Sequence, residues 1–255
     1  MFCPHCGKEI AGDQAFCQHC GASLSEPVPG PVLSAGGRTR TPWEDRENFG
    51  FFGGLFRTLK EVLFSPSAFF RKMTVKDGLF HPLLYALIIG MFGLMFFYSW
   101  QILLKGAVQN FMPSGVTVAA GPQVFNSSNV IWLAALSPFF IIAGLFISSG
   151  ILHIFLMLVK GARAGFEATF RVVAYGHSTQ IFFVLPICGS FLVFAWAIVI
   201  SIIGLREAHE ISGGKATFAV FFPLVLCCGL LITTVMLFFM GALVASFGAL
   251  MQMYK

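Results

Sequence analysis

Charged residues are scarce in this sequence, and acidic residues are absent from all of its long apolar runs. Only 11% of the 255 residues are charged, 57% are hydrophobic and 31 are phenylalanine, which gives a mean hydropathy of +0.83. A soluble globular chain of this length does not have such a composition. The composition therefore predicts an all-α, polytopic integral membrane protein in contact with the lipid bilayer.

The missing acidic residues also exclude most catalytic chemistry within the membrane. Without Asp or Glu in the apolar runs, paired carboxylates for acid–base catalysis, an acidic proton relay and a carboxylate metal site are all excluded there. The sequence also lacks a nucleophile elbow, a phosphate-binding glycine loop and a metalloprotease His pair. We therefore expect the protein not to be an enzyme.

The first cysteine stands at position 3, which leaves no room for the basic and apolar regions of a secretory signal. Two Cys-x-x-Cys-Gly pairs occur in this N-terminal region. Two disulfides would require export, whereas four thiolates in two close pairs form a closed tetrahedral zinc site. We expect a compact zinc ribbon over residues 1–24 that folds around one structural Zn²⁺, with the ligands Cys3, Cys6, Cys17 and Cys20.

The ribbon has too little positive charge for nucleic-acid binding. Lys8 is its one cation, and Glu9 and Asp13 oppose it. Because affinity for phosphate backbones depends on clustered Lys and Arg, we expect no nucleic-acid partner. The net charge of +5 instead indicates topology, since the cations lie beside apolar runs.

Two segments of different character separate the ribbon from the first long apolar run. Residues 25–50 are rich in Pro, Gly and Ser and predict a flexible linker. Residues 51–78 show helical amphipathicity, and Ser65-Pro66 is typical of the start of a second short helix. We expect this amphipathic segment either to lie in the membrane interface, with its basic residues near anionic head groups, or to pack on the protein's own bundle.

Four uncharged runs are long enough to enter the bilayer: Pro82–Leu104, Val130–Val159, Val172–Leu205 and Ala216–Leu250. The third run is interrupted at Pro186, and cations lie at both of its ends, with Lys160, Arg163 and Arg171 before it and Arg206 and Lys215 after it. Because cations concentrate on the cytoplasmic side, both ends are expected there, and the run becomes a hairpin of two short spans. The sequence thus predicts five spans within residues 79–255, a cytoplasmic N-terminus and a C-terminus outside.

Polar side chains at membrane depth are costly and mark candidate functional residues. His153 and His177 are expected at similar depth below the cytoplasmic face, where they either share a contact or serve as hydrogen-bonded packing residues. Together with Gln180 they are the candidate residues of a small transporter or channel. On the last span, a ridge of small residues allows close packing inside the bundle or between two copies in a homo-oligomer, at Gly241, Ala245 and Ala249.

The segment Ala174–Ala216 resembles the YIP family, which is named for members that interact with Ypt and Rab GTPases. The resemblance lies in the order of features: an uncharged hairpin, a short basic turn and a long final span opened by Lys215-Ala216. The hairpin ends in Gly204-Leu205-Arg206-Glu207-Ala208-His209-Glu210-Ile211-Ser212. The phrase before the first span is similar to that of prokaryotic members and reads Leu63-Phe64-Ser65-Pro66-Ser67-Ala68-Phe69.

The resemblance implies five spans, a cytoplasmic N-terminus and a role in membrane organisation or trafficking without catalysis. The Asp-Leu-Tyr-Gly-Pro signature of eukaryotic members is missing from the cytoplasmic region, which argues against GTPase binding. A zinc ribbon fused to a YIP-like domain is similar to a prokaryotic arrangement, so we expect a protein of a prokaryotic inner membrane. We therefore expect a non-enzymatic membrane adaptor or scaffold whose cytoplasmic ribbon recruits a protein partner. The alternative is a small transporter or channel that uses His153, His177 and Gln180.

Overall fold

The computed structural model describes residues 8–9, 19–20, 37–111 and 127–253, with side chains over 8–9, 19–20, 37–104 and 132–241. The chain divides into two compact units, Met1–Thr39 and Arg40–Lys255. The second unit consists of helices α1 (Arg46–Phe64), α2 (Pro66–Lys72), α3 (Phe80–Phe111), α4 (Ser127–Leu158), α5 (Gly165–Gly176), a 3₁₀ helix (His177–Val184), α6 (Gly189–His209) and α7 (Gly213–Met253). The predicted all-α class is confirmed.

Within the described ranges, four helices are long and apolar enough to cross a membrane: Phe80–Leu104, Trp132–Leu158, Gly189–His209 and Gly213–Gly241. This confirms the predicted integral membrane protein. Helix α3 extends beyond its predicted end at Leu104, because no proline occurs before Pro113 and the chain can continue the helix; α4 begins at Ser127, just before its predicted span. The rest of the predicted connecting stretch, residues 112–126, lies outside the described residues.

The turn predicted at Pro186 is present, but the segment before it is not a single α-helix. Helix α5 begins at Gly165, inside the expected basic loop, and changes to a 3₁₀ helix at His177. The Ser178 hydroxyl donates to the Tyr175 carbonyl at 2.7 Å, and the Thr179 hydroxyl donates to the Gly176 carbonyl at 3.0 Å. These side-chain bonds occupy carbonyls of the α-helical ladder and favour the tighter winding.

Helix α5 and the 3₁₀ helix together run along most of α3. Arg171 Nη1 donates to the Gly78 carbonyl at 3.0 Å just before α3, and Trp100 Nε1 donates to the Val184 carbonyl at 3.2 Å near its far end. A 3₁₀ helix rises more per residue than an α-helix, so the two segments together are about 34 Å long. This length is enough to cross a hydrocarbon core of about 30 Å. This length favours a fifth crossing, and the count of five spans stays a prediction.

The packed unit begins at Arg40, before the predicted end of the flexible linker at residue 50. The reason is Trp43, which is fully buried and donates its indole N–H to the His81 carbonyl at 2.8 Å. Its ring contacts Tyr85 at 5.9 Å between centroids, and Tyr85 contacts Tyr175 at 5.2 Å. This aromatic layer joins the chain before α1 to α3 and α5.

The amphipathic segment forms two helices that break at Ser65, as the Ser-Pro pair predicted. A kink at Gly50, where φ is 66°, lets α1 change direction. The apolar face of α1 is divided: Leu55, Val62 and Leu63 are buried in the bundle, and the large exposed side chains are Phe51, Phe52, Phe56 and Phe64. Packing therefore accounts for only part of the amphipathic pattern.

Gly93 is a point of close helix approach, because a Cβ at this position would lie 2.8 Å from both Cβ and the carbonyl oxygen of Gln180. We predict that Gly93→Ala lowers the free energy of unfolding by about 1–3 kcal/mol through overpacking. Gly150→Ala on α4 is the control, since nothing lies within 4 Å of its Cβ position and alanine favours helix. Unfolding in mixed micelles by SDS titration measures both, and an equal loss in the two variants would contradict the prediction.

Candidate functional site

Three of the four predicted zinc ligands, Cys3, Cys6 and Cys17, lie outside the described residues, and Cys20 is exposed. The ligand set therefore stays a prediction. Its chemistry fits the metal, because four thiolates complete the tetrahedral shell of a structural Zn²⁺. Within the described ranges, no group of three or more His, Cys, Asp or Glu side chains is placed to hold a metal ion.

A buried ion pair joins α5 to the chain before α1. Arg171 and Glu44 contact each other with side-chain exposures of 0% and 2%. The same guanidinium donates to the Thr74 hydroxyl at 3.1 Å and to the Gly78 carbonyl at 3.0 Å. The sequence had suggested a loop cation at position 171, and the structure corrects this placement. Because Glu44 is 127 positions away, no local pattern could have identified the pair.

Three connections meet at one end of the helical unit, which we call the basic end: residues 74–79, 159–164 and 210–212. Glu167 Oε1 accepts from the backbone N–H groups of Asp77 and Gly78 at 2.6 Å each, and Arg163 Nη1 donates to the Glu210 carbonyl at 3.2 Å. Arg40 bonds to Asp77 at 3.0 Å, which raises the pKa of its guanidinium. Exposed cations also lie here, including Lys76 and Lys160.

A chain of hydrogen bonds links two histidines through a buried threonine near the basic end. The Ala164 N–H donates to His209 Nδ1 at 3.2 Å, so a neutral ring carries its proton on Nε2. That nitrogen lies 3.0 Å from Thr169 Oγ1, which lies 2.9 Å from His153 Nδ1. His153 was a candidate from the sequence, but its partners Thr169 and His209 were not predicted. Both partners lie just outside the predicted apolar run Val172–Leu205, and a polar residue at each end of that run was the available signal.

His177 and Gln180 lie elsewhere in the packing. His177 Nδ1 donates to the Val173 carbonyl at 3.1 Å, within its own helical segment. His153 and His177 thus bond to different groups, and no direct contact between these two rings is found among the described residues. Gln180 lies against α3, and its buried Oε1 has no hydrogen-bond partner among the described residues.

The two phrases that carry the family resemblance contact each other. Glu207 of α6 accepts from the Ser67 hydroxyl at 2.8 Å and from Arg71 Nε at 3.0 Å, and Arg206 Nη2 also bonds to Glu207 at 2.6 Å. The bond to Glu207 raises the pKa of the Arg71 guanidinium. At Gly204, a Cβ would lie only 3.2 Å from the Phe70 ring. The helix before the first span is therefore fixed to the end of the hairpin.

We predict that Glu44→Gln lowers the free energy of unfolding by about 3–5 kcal/mol, because Arg171 would remain buried without a counter-charge. Adding Arg171→Met should restore part of this loss by removing that charge. Glu47→Gln, at an exposed position in the first turn of α1, is the control and should change stability little. SDS titration again measures the free energy of unfolding of each variant. An equal loss in the Glu44 and Glu47 variants would show that the Arg171–Glu44 ion pair does not stabilise the fold.

Comparison with protein families identifies both parts of the chain. Residues 2–24 match the zinc-ribbon domain, and residues 60–236 match the Yip1 domain. Searches of curated proteins and of solved structures found no match. The second family match covers well over half of the 255 residues and includes the α2–α6 contact and the Pro186 turn. The predicted resemblance is confirmed: the chain is an integral membrane protein that belongs to the Yip1 domain family and carries an N-terminal zinc-ribbon domain.

Proposed function

We propose that this protein is a non-enzymatic membrane adaptor or scaffold, in which the helical unit anchors the chain and the ribbon recruits a protein partner. The observation that carries the proposal is the division into two units, with the ribbon in Met1–Thr39 and the Yip1 helices in Arg40–Lys255. The buried Arg171 and His209 bond to neighbouring protein groups, which supports structural roles for them. Family membership supports a role in membrane organisation or trafficking.

The basic end is proposed to face the cytoplasm. It gathers the connections before α3, between α4 and α5 and between α6 and α7, and cations favour the cytoplasmic side of a membrane. Five crossings from this end would place the C-terminus outside. A cytoplasmic ribbon would also keep its thiolates reduced. Residues 51–78 would then occupy the interface on the cytoplasmic side, in a prokaryotic inner membrane.

The ribbon is proposed to be the recruiting element. Cys3, Cys6, Cys17 and Cys20 would hold one Zn²⁺, which supplies the cross-link that a domain of this size needs to fold. Its low positive charge disfavours nucleic acid and leaves a cytoplasmic protein as the proposed partner. A homo-oligomer through the small residues of α7 would present several ribbons together.

We predict that Cys17→Ser removes the bound zinc and the captured partner but leaves the helical unit inserted, because the two units are separate. Elemental analysis of the full-length protein should give one zinc per chain before the change. Cross-linking in native membranes, followed by purification, tests capture. Cys188→Ser, at the turn before α6, is the matched control and should retain both zinc and partner. Zinc retention in Cys17→Ser, or loss of membrane integration, would contradict the two-part architecture.

The second candidate function is a small transporter or channel, and the chain His153–Thr169–His209 is the observation that favours it. Hydrogen-bonded histidines can relay protons. A conduit also requires a polar path to both faces, and these three residues lie near the basic end. The remaining sequence candidates, His177 and Gln180, bond or pack elsewhere.

Thr169→Val separates the two functions. If the chain only packs helices, the change should cost about 0.6–1.7 kcal/mol of stability, the range measured for hydrogen bonds between membrane helices. Flux of protons into reconstituted vesicles should then equal that of empty vesicles, with or without the change. Thr233→Val, at an exposed position on α7, is the control and should affect neither property. A wild-type flux that Thr169→Val abolishes and Thr233→Val preserves would establish transport and reject the adaptor.

A further inference from the structure

The corner between α1 and α2, residues Leu63–Pro66, lies farther from the basic end than the charged residues beside it. Ser67 and Arg71 both bond to Glu207, near the end of α6. Leu63 instead contacts Trp196, whose indole N–H donates to the Leu63 carbonyl at 3.2 Å. On α6, residues 196 and 207 are about 16 Å apart at 1.5 Å per residue. The corner at the end of α1 therefore lies deeper along α6 than Glu207, and α2 returns from it toward Glu207.

The contact with Trp196 satisfies a backbone group that a bilayer could not. Leu63 is in the last turn of α1, where carbonyls have no partner within the helix. In water such a carbonyl is hydrated, but in hydrocarbon it needs a donor from the protein. Trp196 supplies that donor, and the Ser65 N–H donates to the Glu61 carbonyl at 2.9 Å. Two backbone groups of the corner, the Leu63 carbonyl and the Ser65 N–H, are thus bonded within the protein, as a non-aqueous environment demands.

The outer face of this region is apolar and continues onto a membrane-spanning helix. Phe52, Phe56 and Phe64 have exposures of 70%, 63% and 77%. On α6, Trp196 beside the corner is 38% exposed and Phe194 is 58% exposed. Because α6 is long and apolar enough to span the bilayer, its exposed side chains face lipid. Phe64, at the corner beside Trp196, therefore extends a lipid-contacting surface, and Phe52 and Phe56 expose further apolar rings on α1.

Two exposed cations lie on α1 between these phenylalanines and their neighbours. Arg57 is 56% exposed and bonds to Glu61 at 3.0 Å, and Lys60 is exposed one turn before the corner. Long basic side chains beside a buried apolar face can extend toward phosphate head groups while their aliphatic stems stay among the acyl chains. Glu61 offsets the charge of Arg57, so Lys60 supplies the net positive charge of this face, and it complements an anionic leaflet.

We propose that the corner is a re-entrant wedge: residues Leu63–Pro66 enter the leaflet that borders the basic end, and phospholipid acyl chains cover Phe52, Phe56 and Phe64. The inference rests on the proposed interfacial placement of residues 51–78 and deepens it, since the segment reaches below the head groups instead of lying on them. Trp196 holds the wedge at this depth. The role of the ribbon is independent of it.

The depth of the corner can be measured with tryptophan probes in the full-length protein. Phe64→Trp and Lys76→Trp are each reconstituted into vesicles of phosphatidylcholine and phosphatidylglycerol with bromine at defined acyl positions. The fluorescence added over the parent protein is then recorded. We expect brominated acyl chains to quench the position-64 probe more than iodide does, and the reverse at exposed Lys76. Iodide quenching at position 64 would place the corner in water, and quenching by neither would show a protein cover; both overturn the proposal.

The role of Trp196 is tested by adding Trp196→Phe to the Phe64→Trp protein, which keeps an aromatic ring but removes the donor to Leu63. We expect the quenching profile to shift toward bromines nearer the head groups. Trp132→Phe, at a 69% exposed position on α4, is the control and should leave the profile unchanged. An unchanged profile in Trp196→Phe would overturn the claim that this residue holds the wedge. Zinc content of the same proteins, and partner capture by cross-linking of the same variants in native membranes, show separately whether the adaptor function fails.

Discussion

The buried ion pair between Arg171 and Glu44 is the constraint on which the packed unit depends. A guanidinium in the interior of an apolar bundle needs an opposite charge and further acceptors, because its desolvation is otherwise too costly. Glu44 supplies the charge from before α1, and Thr74 and Gly78 supply acceptors from before α3. One side chain therefore holds two connecting segments against α5. Trp43, next to Glu44, adds apolar contact with Tyr85 at the same place.

This attachment explains why α1 and α2 are part of the membrane unit. Once the chain before α1 is fixed at the basic end, α1 can carry the corner only as far from that end as its 19 residues allow, and α2 must return to Glu207. Charged and polar contacts are concentrated near the basic end, where water can share their solvation. Farther from it, close approach at Gly93 and the indole donors of Trp100 and Trp196 replace them. The hydrogen-bonding pattern thus follows the polarity expected across a bilayer.

Local properties of the sequence were enough to predict the fold class, the four long apolar helices and the turn at Pro186. Hydropathy and proline act within a short window, so a linear pattern reveals them. The placement of Arg171, Trp43 and His209 was not predictable in this way, because their partners lie far along the chain. The 3₁₀ segment was also not predicted, since it depends on which backbone carbonyls the Ser178 and Thr179 hydroxyls bond to. The assignment of the zinc ligands rests on the spacing of the cysteines in the sequence.

The distribution of polar contacts bears on function as well as on folding. A site that binds a substrate or moves protons needs polar atoms that are free to exchange partners, and Arg171, Thr169 and His209 are instead bonded to protein groups that fix helices. Among its described side chains, the helical unit exposes a large apolar surface, which suits lipid, and charged residues of both signs, such as Lys76, Lys160 and Glu47. Under the proposed function, the zinc-ribbon unit would select the partner and the Yip1 helices would set where in the membrane that recruitment occurs.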